Sequence, residues 1–502
     1  MNFQPVVLWS DILLWGLFVL CLAAAWIARR DPLLRAAWRR VGQRATGAGS
    51  AVVLAFFVVI GLADSLHYRP QLPGGDGVKA AYSVEVFSVL DAVLSPLRSR
   101  AEKTYSEPLA TRSFAKEMVE RADGTQGREF PRLRHGGKHL ADEAEQGSDV
   151  ARRVAFGALA GVLLTVLLIG LVLWFEARLS GSGATAEVSG ESLRLSHGDS
   201  LRSSHGDSLR SQKKSLNAAW QHLREGRGAV HWPAVLAVSG ILAICCGIVI
   251  AVADGYHVLG TDKVGQDVLY HVLKSVRTAL VIGLITTLVT LPIGIGLGVA
   301  AGYFRGWVDD LIQYLYTTLN SIPGVLLIAA AALMMQTILD LHPEWFSTAA
   351  ERADMRLLAL CFILGMTSWT GIARLLRAET LKLSQLEYVQ AARAFGVPRF
   401  RILRRHIIPN VMHIVIIALV MDFSGLVLAE AVLSYVGIGV DPSMISFGTM
   451  INNARMELSR EPVVWWSLAG AFVAMFVLVL AANLLADVVR DAFDPRQAES
   501  GR

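Results

Sequence analysis

Apolar residues run along this chain in blocks of about 20 with almost no charge inside them, the length a helix needs to cross a hydrocarbon core about 30 Å thick. Nine blocks fit: 6–28, 50–66, 154–175, 233–253, 276–301, 311–336, 357–375, 411–432 and 464–486. The pattern predicts an all-α polytopic membrane protein with about nine transmembrane helices. Two polar intervals interrupt the series, 67–153 and 176–231. In the first, the apolar spacing over 84–97 predicts a helix and the rest reads as loosely structured. The second holds a tandem SHGDSLR, at 196–202 and 204–210, in a Ser- and Gly-rich stretch. Such a composition cannot bury enough apolar surface to fold, so it reads as a disordered linker.

Composition supports this reading. Of the 502 residues 53% are hydrophobic and 18% charged, with a mean hydropathy of +0.46, whereas soluble domains carry about 25% charged residues. A net charge of +5 could suggest nucleic acid, but the basic residues sit in short connections, where they set topology instead. Residues 29–44 carry six arginines against one acid, and Arg377, Lys382, Arg393, Arg399, Arg401, Arg404 and Arg405 follow the seventh block. Both connections are expected to be cytoplasmic. The N-terminus and residues 67–153 then lie outside, and residues 176–231 and the C-terminus inside. The first block lacks a positive leader and precedes an arginine cluster, which favours an uncleaved span. Cys21, Cys245, Cys246 and Cys361 all fall in apolar runs, where a thiol acts as a small hydrophobe.

Enzyme signatures are mostly absent. No G-x-x-x-x-G-K-[ST] occurs, so the chain has no phosphate-cradling loop of its own, and any ATP must be used by another subunit. Gly294, Gly298 and Gly302 are four apart inside an apolar block, which predicts a small-residue face for close helix packing and not a dinucleotide loop. His135 and His139, and His197 and His205 in the repeat, have no carboxylate or cysteine at ligand spacing; they read as solvated, with no metal site. Asp11, Asp64 and Glu430 are ionisable groups in or near spans, a functional flag. For Asp11 and Asp64, close to block ends, interfacial solvation is the simpler account.

The segment 386–410 is the most informative. Helix formers over 386–395 precede Gly396, where the backbone can turn, and Pro398, which can open a second short helix. Ala391 and Ala392 would let a partner's groove approach that helix closely. A basic loop that only fixes topology would have the same spacing.

Three stretches carry a resemblance. The loop resembles the EAA motif of binding-protein-dependent ABC importers, E-A-A-x3-G-x9-I-x-L-P, through Gln390, Ala391, Ala392, Gly396, Ile408 and Pro409. Gln390 replaces the motif's Glu, and His406 stands at its first Ile. HVLGTDKVGQDV at 257–268, with Gly260, Thr261, Asp262, Gly265 and Asp267, resembles the HPLGTDxxGRDV segment of the dipeptide, oligopeptide and nickel permease group. LAEAVLSYVGIGVDP at 428–442 resembles that group's LxEAxLSFLGLGVxPP. The resemblance is to the C-type permease subunit and covers about 231–490, leaving 1–230 unexplained.

It implies a six-helix permease domain over 232–490 and a cytoplasmic tail at 491–502, while the hydropathy and charge pattern alone gives the extension over 1–231 its three spans, the external segment 67–153 and the linker 176–231. The partners implied are a second homologous permease, two cytoplasmic ATP-binding subunits that use ATP and Mg, and an external solute-binding protein, in a bacterial inner membrane. Neither a cofactor on this chain nor nucleic acid is implied, and lipid surrounds it. Gln390, Ala391, Ala392, Arg393, Gly396, Pro398, Ile408 and Pro409 would couple ATPase closure to the spans. The 260–267 segment is a candidate contact for the binding protein. Asn320, Ser321 and Pro323 would line a pore-facing kink or a packing kink, and Glu430 would shape an external gate or cap a loop. Peptides are the expected cargo, with nickel also served by the group. An ATP-independent transporter or channel, and a membrane sensor that no longer transports, are the competing classes.

Overall fold

A computed structural model describes residues 3–72, 82–120, 126–191, 230–346 and 348–493. Among the described residues, nine helices are long and apolar enough to cross a membrane. The chain divides into two compact units. One comprises Met1–Pro32, Leu54–Lys138 and Tyr256–Arg502, and the other Leu33–Val53 and His139–Gly255.

The elements of the N-terminal half are α1 (Trp9–Arg30), α2 (Pro32–Gln43) and α3 (Ala45–Asp64), followed by α4 (Val89–Val93), α5 (Ser95–Ser99), α6 (Gln146–Glu191) and α7 (Trp232–Ala253). Strand β1 (Phe3–Val6) pairs antiparallel with β2 (His67–Pro70), Val6 opposite His67, and β2 pairs with β3 (Phe87–Ser88). A hairpin joins β4 (Glu117–Glu120) to β5 (Gln126–Glu129).

Two expectations change here. The single helix expected over 84–97 is a short strand followed by α4 and α5. Ser88 starts α4 with a capping box in which its hydroxyl accepts from Asp91 N at 3.1 Å and its N–H donates to Asp91 Oδ2 at 2.8 Å. Leu94 then leaves helical geometry (φ −89°, ψ 14°) two residues before Pro96, whose ring disfavours a continuous helix there. The linker expected over 176–231 begins as helix. α6 runs on to Glu191, because adding residues to an existing helix is far cheaper than nucleating one. Both SHGDSLR copies, with His197 and His205, lie outside the described residues.

The C-terminal half contains α8 (Val268–Phe304), α9 (Trp307–Ser321), α10 (Gly324–Leu341), α11 (Ala349–Leu383), α12 (Glu387–Ala394), α13 (Arg399–Ile402), α14 (Ile408–Tyr435), α15 (Phe447–Glu457) and α16 (Trp466–Phe493). The sixth span, expected as one helix over 311–336, is two. Pro323 forces Ile322 into an extended conformation (φ −93°, ψ 132°), and the membrane-length helix is α10, which starts after it.

Close packing of the first unit centres on α8 against α11. A Cβ on Gly298 would sit 2.6 Å from Ala373 O, one on Gly302 2.7 Å from Arg377 O, and one on Gly294 3.1 Å from Ile372 Cγ2. Backbone faces backbone along this line, and no side chain fits at the last two turns. The second unit uses the same device. A Cβ on Gly161 of α6 would lie 2.4 Å from Ile244 Cα of α7, and one on Gly157 2.5 Å from Gly247 O.

Candidate functional site

Two ends of the first unit carry unusual chemistry. At one end, α12 is amphipathic over barely two turns. Val389 is buried against Ile402, Ile407, Leu376 and Tyr303, while Gln390, Ala391 and Arg393 face outward. Gly396 ends this element at φ +75°, a region that costs other residues about 1–2 kcal/mol. Pro398 then opens α13, and a π-helical turn at Leu403–Ile407 leads into α14, whose first residues are Ile408 and Pro409. The Gln390 amide donates to Gln385 O at 3.0 Å, a neutral bond where the motif's Glu would place a charge. The Arg393 guanidinium lies over the Tyr303 ring at 5.3 Å. Phe395 and Phe400 stand 87% and 76% exposed beside this surface. Sequence reasoning passed over both; two aromatics flanking a helix-ending Gly-x-Pro were the available signal.

The α9–α10 break lies in the same unit. Asn320, Ser321 and Pro323 are exposed, and Asn320 Oδ1 accepts from Thr370 Oγ1 at 3.2 Å. Asn320 and Thr370 share an open cavity of about 620 Å³ with Arg374. Glu430 lies elsewhere, 1% exposed on α14, accepting from Ser434 Oγ at 2.6 Å and Ser446 Oγ at 3.0 Å. Since Ser446 also caps α15, Glu430 fastens the 436–446 turn to α14.

At the opposite end, the 260–267 segment is a compact turn. Asp262 Oδ1 accepts from Val264 N and Gln266 N at 2.9 and 2.8 Å, and Asp267 caps α8 by accepting from Leu269 N at 2.8 Å. Residues 102–106 of the extension lie directly on this turn. Glu102 N donates to Gly265 O at 2.9 Å and Thr261 N to Ser106 O at 3.1 Å; Thr261 Oγ1 donates to Thr104 O at 2.9 Å. A Cβ on Gly265 would be 2.0 Å from Glu102 O, and one on Gly260 2.4 Å from Ser106 O. Thus Gly260, Thr261, Gly265 and Asp267 are buried, and Lys263, Val264 and Gln266 are exposed.

A buried charge cluster locks this contact. The Glu102 carboxylate accepts from Arg134, His135 and Gly136 N at 2.8, 2.7 and 3.2 Å and faces His257 Nε2 at 3.5 Å, while His257 Nδ1 meets Asp267 Oδ2 at 2.8 Å. Burial opposes ionising Glu102, but the facing His257 and the hydrogen bonds from the three amides overcome it and bring its pKa down to about 2. His257 is lowered by burial and raised more strongly by Asp267 and Glu102, ending at about 9. Tyr105 donates to Glu457 Oε1 at 3.2 Å, and its hydroxyl, buried beside that carboxylate, is pushed up to about 12. Phe114 packs edge-on against Trp466, centroids 5.0 Å apart, whose indole donates to Thr261 O at 2.9 Å.

Asp11 and Asp64, expected to be solvated at block ends, are each only 3% exposed. Arg277 of α8 donates to Asp11 Oδ1 at 2.6 Å and Ser10 Oγ at 2.8 Å. Ser10 N donates to Asp354 Oδ2 of α11 at 3.0 Å. Lys274 meets Asp64 at 2.6 Å and Asp91 at 3.1 Å, and Tyr270 donates to Asp91 at 2.7 Å. Charged partners supplied across long sequence separations are the physical reason that solvation is unnecessary. Arg277 inside the fifth apolar block was the overlooked signal. His139, expected to be solvated, pairs with Asp149 at 2.6 Å.

The family described as binding-protein-dependent transport system inner membrane component matches residues 294–499. The glutathione transport system permease protein GsiD of Pectobacterium atrosepticum is 34% identical over 240 residues, covering 48% of this chain and 73% of that protein. The oligopeptide transport system permease protein OppC of Mycobacterium bovis is 31% identical over 239 residues, 48% of this chain and 76% of the relative. Among solved structures, the inward-facing MetNI methionine ABC transporter overlaps 45% of this chain and 97% of its own at 17% identity, with a TM-score of 0.32.

Proposed function

Because the chain belongs to the binding-protein-dependent transport system inner membrane components and is a permease subunit of an ABC importer, we propose that it carries di- or oligopeptides across a bacterial inner membrane, driven by cytoplasmic ATPases. Such permeases are transport components and not ATPases, and work with ATPase and binding-protein partners. The peptide assignment draws on relatives named for oligopeptide and glutathione transport, glutathione being itself a tripeptide. In the proposed assembly this chain pairs with a second homologous permease and two ATP-binding subunits, which hold ATP and Mg, and receives solute from an external binding protein. Its permease domain spans 232–490. The arginine-rich connections support a topology with the Gln390 end in the cytoplasm and the His257 end, with the N-terminus, outside.

One observation supports the coupling role most: a buried Val389 face seats α12 on the bundle while Gln390, Ala391, Arg393, Phe395 and Phe400 project outward. An ATPase groove that took this face would move α12 together with α11 and α14, and ATP would then favour one arrangement of the spans over the other, as pumping requires. The pathway would run past Asn320, Ser321 and Pro323, with Glu430 holding the outer turn beside it. The first experiment is mild-detergent purification of the tagged chain with mass spectrometry of its companions. Recovery of a second permease and a P-loop ATPase supports the assembly, and recovery of this chain alone, under conditions that preserve other importers, counts against it. Gly396→Asp is expected to insert normally yet lose ATPase docking and uptake; normal uptake by that variant refutes the coupling role.

A further inference from the structure

The open cavity of about 620 Å³ beside the α9–α10 break is lined by Asn320, Thr370, Gly371, Arg374, Leu375 and Ala378. All but Asn320 belong to α11, and their spacing puts them on one face of that helix over about two turns. The polar groups there are of one kind. Asn320 Oδ1 accepts from Thr370 Oγ1 at 3.2 Å, which uses the carbonyl of that amide and leaves its N–H groups as donors. Arg374 is exposed, with its guanidinium 5.2 Å over the Tyr316 ring, and among the described residues no carboxylate pairs with it. Arg377, one turn on, differs: Asp309 takes it through two bonds of 2.6 and 2.7 Å. The cavity therefore offers a cation and amide donors, and no acid lines it.

The membrane narrows what can fill it. α11 is one of the membrane-length helices, and a charged side chain on such a helix is costly against hydrocarbon and marks water-filled or substrate-bearing space. The wall beside Arg374 is low, since a Cβ on Gly371 would meet nothing within 4 Å, and the volume is that of a small-molecule site. A carboxylate is the anion that a guanidinium fork takes with two parallel bonds. Every linear peptide carries one at its C-terminus, whatever its side chains, and the carbonyls beside it are acceptors for the Asn320 amide. A lipid phosphate would also satisfy the charge, but its acyl chains would have to lie along Asn320, Thr370 and Gly371, which offer them little apolar surface.

We propose that Arg374, with Asn320 beside it, is a carboxylate-selective station on the translocation path that takes the C-terminal carboxylate of a peptide in transit; this rests on the peptide reading given above. Access to water keeps the hold weak, so that the peptide can leave as well as enter. The test uses the complete transporter in liposomes with ATP inside. A tripeptide and its C-terminal amide are each delivered as a preformed complex with the binding protein, whose own preference is the same for every variant and cancels. The ratio of acid to amide uptake is expected to fall about tenfold in Arg374→Gln, the worth of one charge-assisted hydrogen bond. It should fall less in Arg374→Lys, which keeps the charge without the fork. Uptake of the amide by Arg374→Gln shows that the variant is folded and assembled. An unchanged ratio, with both forms lost equally or neither lost, would overturn the proposal and assign Arg374 to the second permease or to a lipid headgroup. A wild type that hydrolyses ATP and moves neither form would instead refute the peptide reading, and this station with it.

Discussion

Replacing Glu102 by Ala tests how the extension is fastened to the rest of its unit. The change removes a carboxylate that is 7% exposed, strands the amides of Arg134, His135 and Gly136, and leaves His257 with Asp267 as its remaining carboxylate. The lost bonds share one acceptor and do not add. Breaking a single buried charge pair costs about 3–5 kcal/mol, and every 1.4 kcal/mol is a factor of ten, so the locally open population should rise by roughly two to three and a half orders of magnitude. Hydrogen–deuterium exchange by mass spectrometry on the assembled transporter reads this directly, most strongly at the 134–136 amides. Residues 102–106 should loosen less, because Glu102 N to Gly265 O and Thr261 Oγ1 to Thr104 O are unaffected by the change. Glu102→Gln should fall between the two, and Glu107→Ala, at an exposed position, should match the wild type. If the 134–136 amides of Glu102→Ala exchange within threefold of the wild type, the charge cluster does not hold the segment.

The same cluster makes fastening depend on pH. Glu102, lowered from 4.5 to about 2, stabilises the contact above about pH 4.5 and ceases to as pH falls through about 2; His257, raised from 6.5 to about 9, stabilises it fully below 6.5 and loses this as pH rises through about 9. Protection, corrected for intrinsic exchange, is therefore expected to be greatest between about pH 4.5 and 6.5 and lower at pH 10; a flat profile contradicts this. Arg277→Met removes the cation between Asp11 and Asp354 while Asp11 keeps His67 at 2.7 Å, so Asp354 is the carboxylate that loses its ion-pair partner, and the change should cost about 3–5 kcal/mol, seen as a lower melting temperature; restoration by the double change Arg277→Met with Asp354→Asn would show that the unpaired charge is the cause. Gly298→Val drives a branched side chain into Ala373 O and Cα; at about 1–3 kcal/mol or more for overpacking, it should yield a poorly assembled protein by size-exclusion profile, whereas Gly296→Val, where a Cβ meets nothing within 4 Å, should not.

Much of the architecture was legible because membrane helices announce themselves one at a time. Each needs only a long enough apolar run, and the expected and observed spans differ mainly where one residue decides the matter, as Pro323 does between α9 and α10. The α12 surface was legible for the same local reason, since Gly396 and Pro398 punctuate it within a few residues. The attachment of the extension was not legible. Asp11 and Arg277 are 266 positions apart, and Tyr105 and Glu457 are 352, so neither partner shows in the other's neighbourhood. What the sequence offered was half of each pair, an acid near a span end or an arginine inside one, and half a pair reads naturally as a solvated residue.

The 260–267 turn shows how the two kinds of information join. Its glycines stand out as a motif, yet spacing alone cannot say what they make room for. In this chain they make room for the extension's own backbone, with Glu102 O and Ser106 O sitting where a Cβ would be. A binding protein that reached this turn would find mainly Lys263, Val264 and Gln266, with residues 102–106 seated on most of the rest. Any such partner must therefore be recognised partly by the extension, so changing Lys263 together with exposed residues of 100–120 and 126–138 should lower uptake by an amount that departs from the sum of the two separate losses; additive losses would show that the two surfaces are read independently.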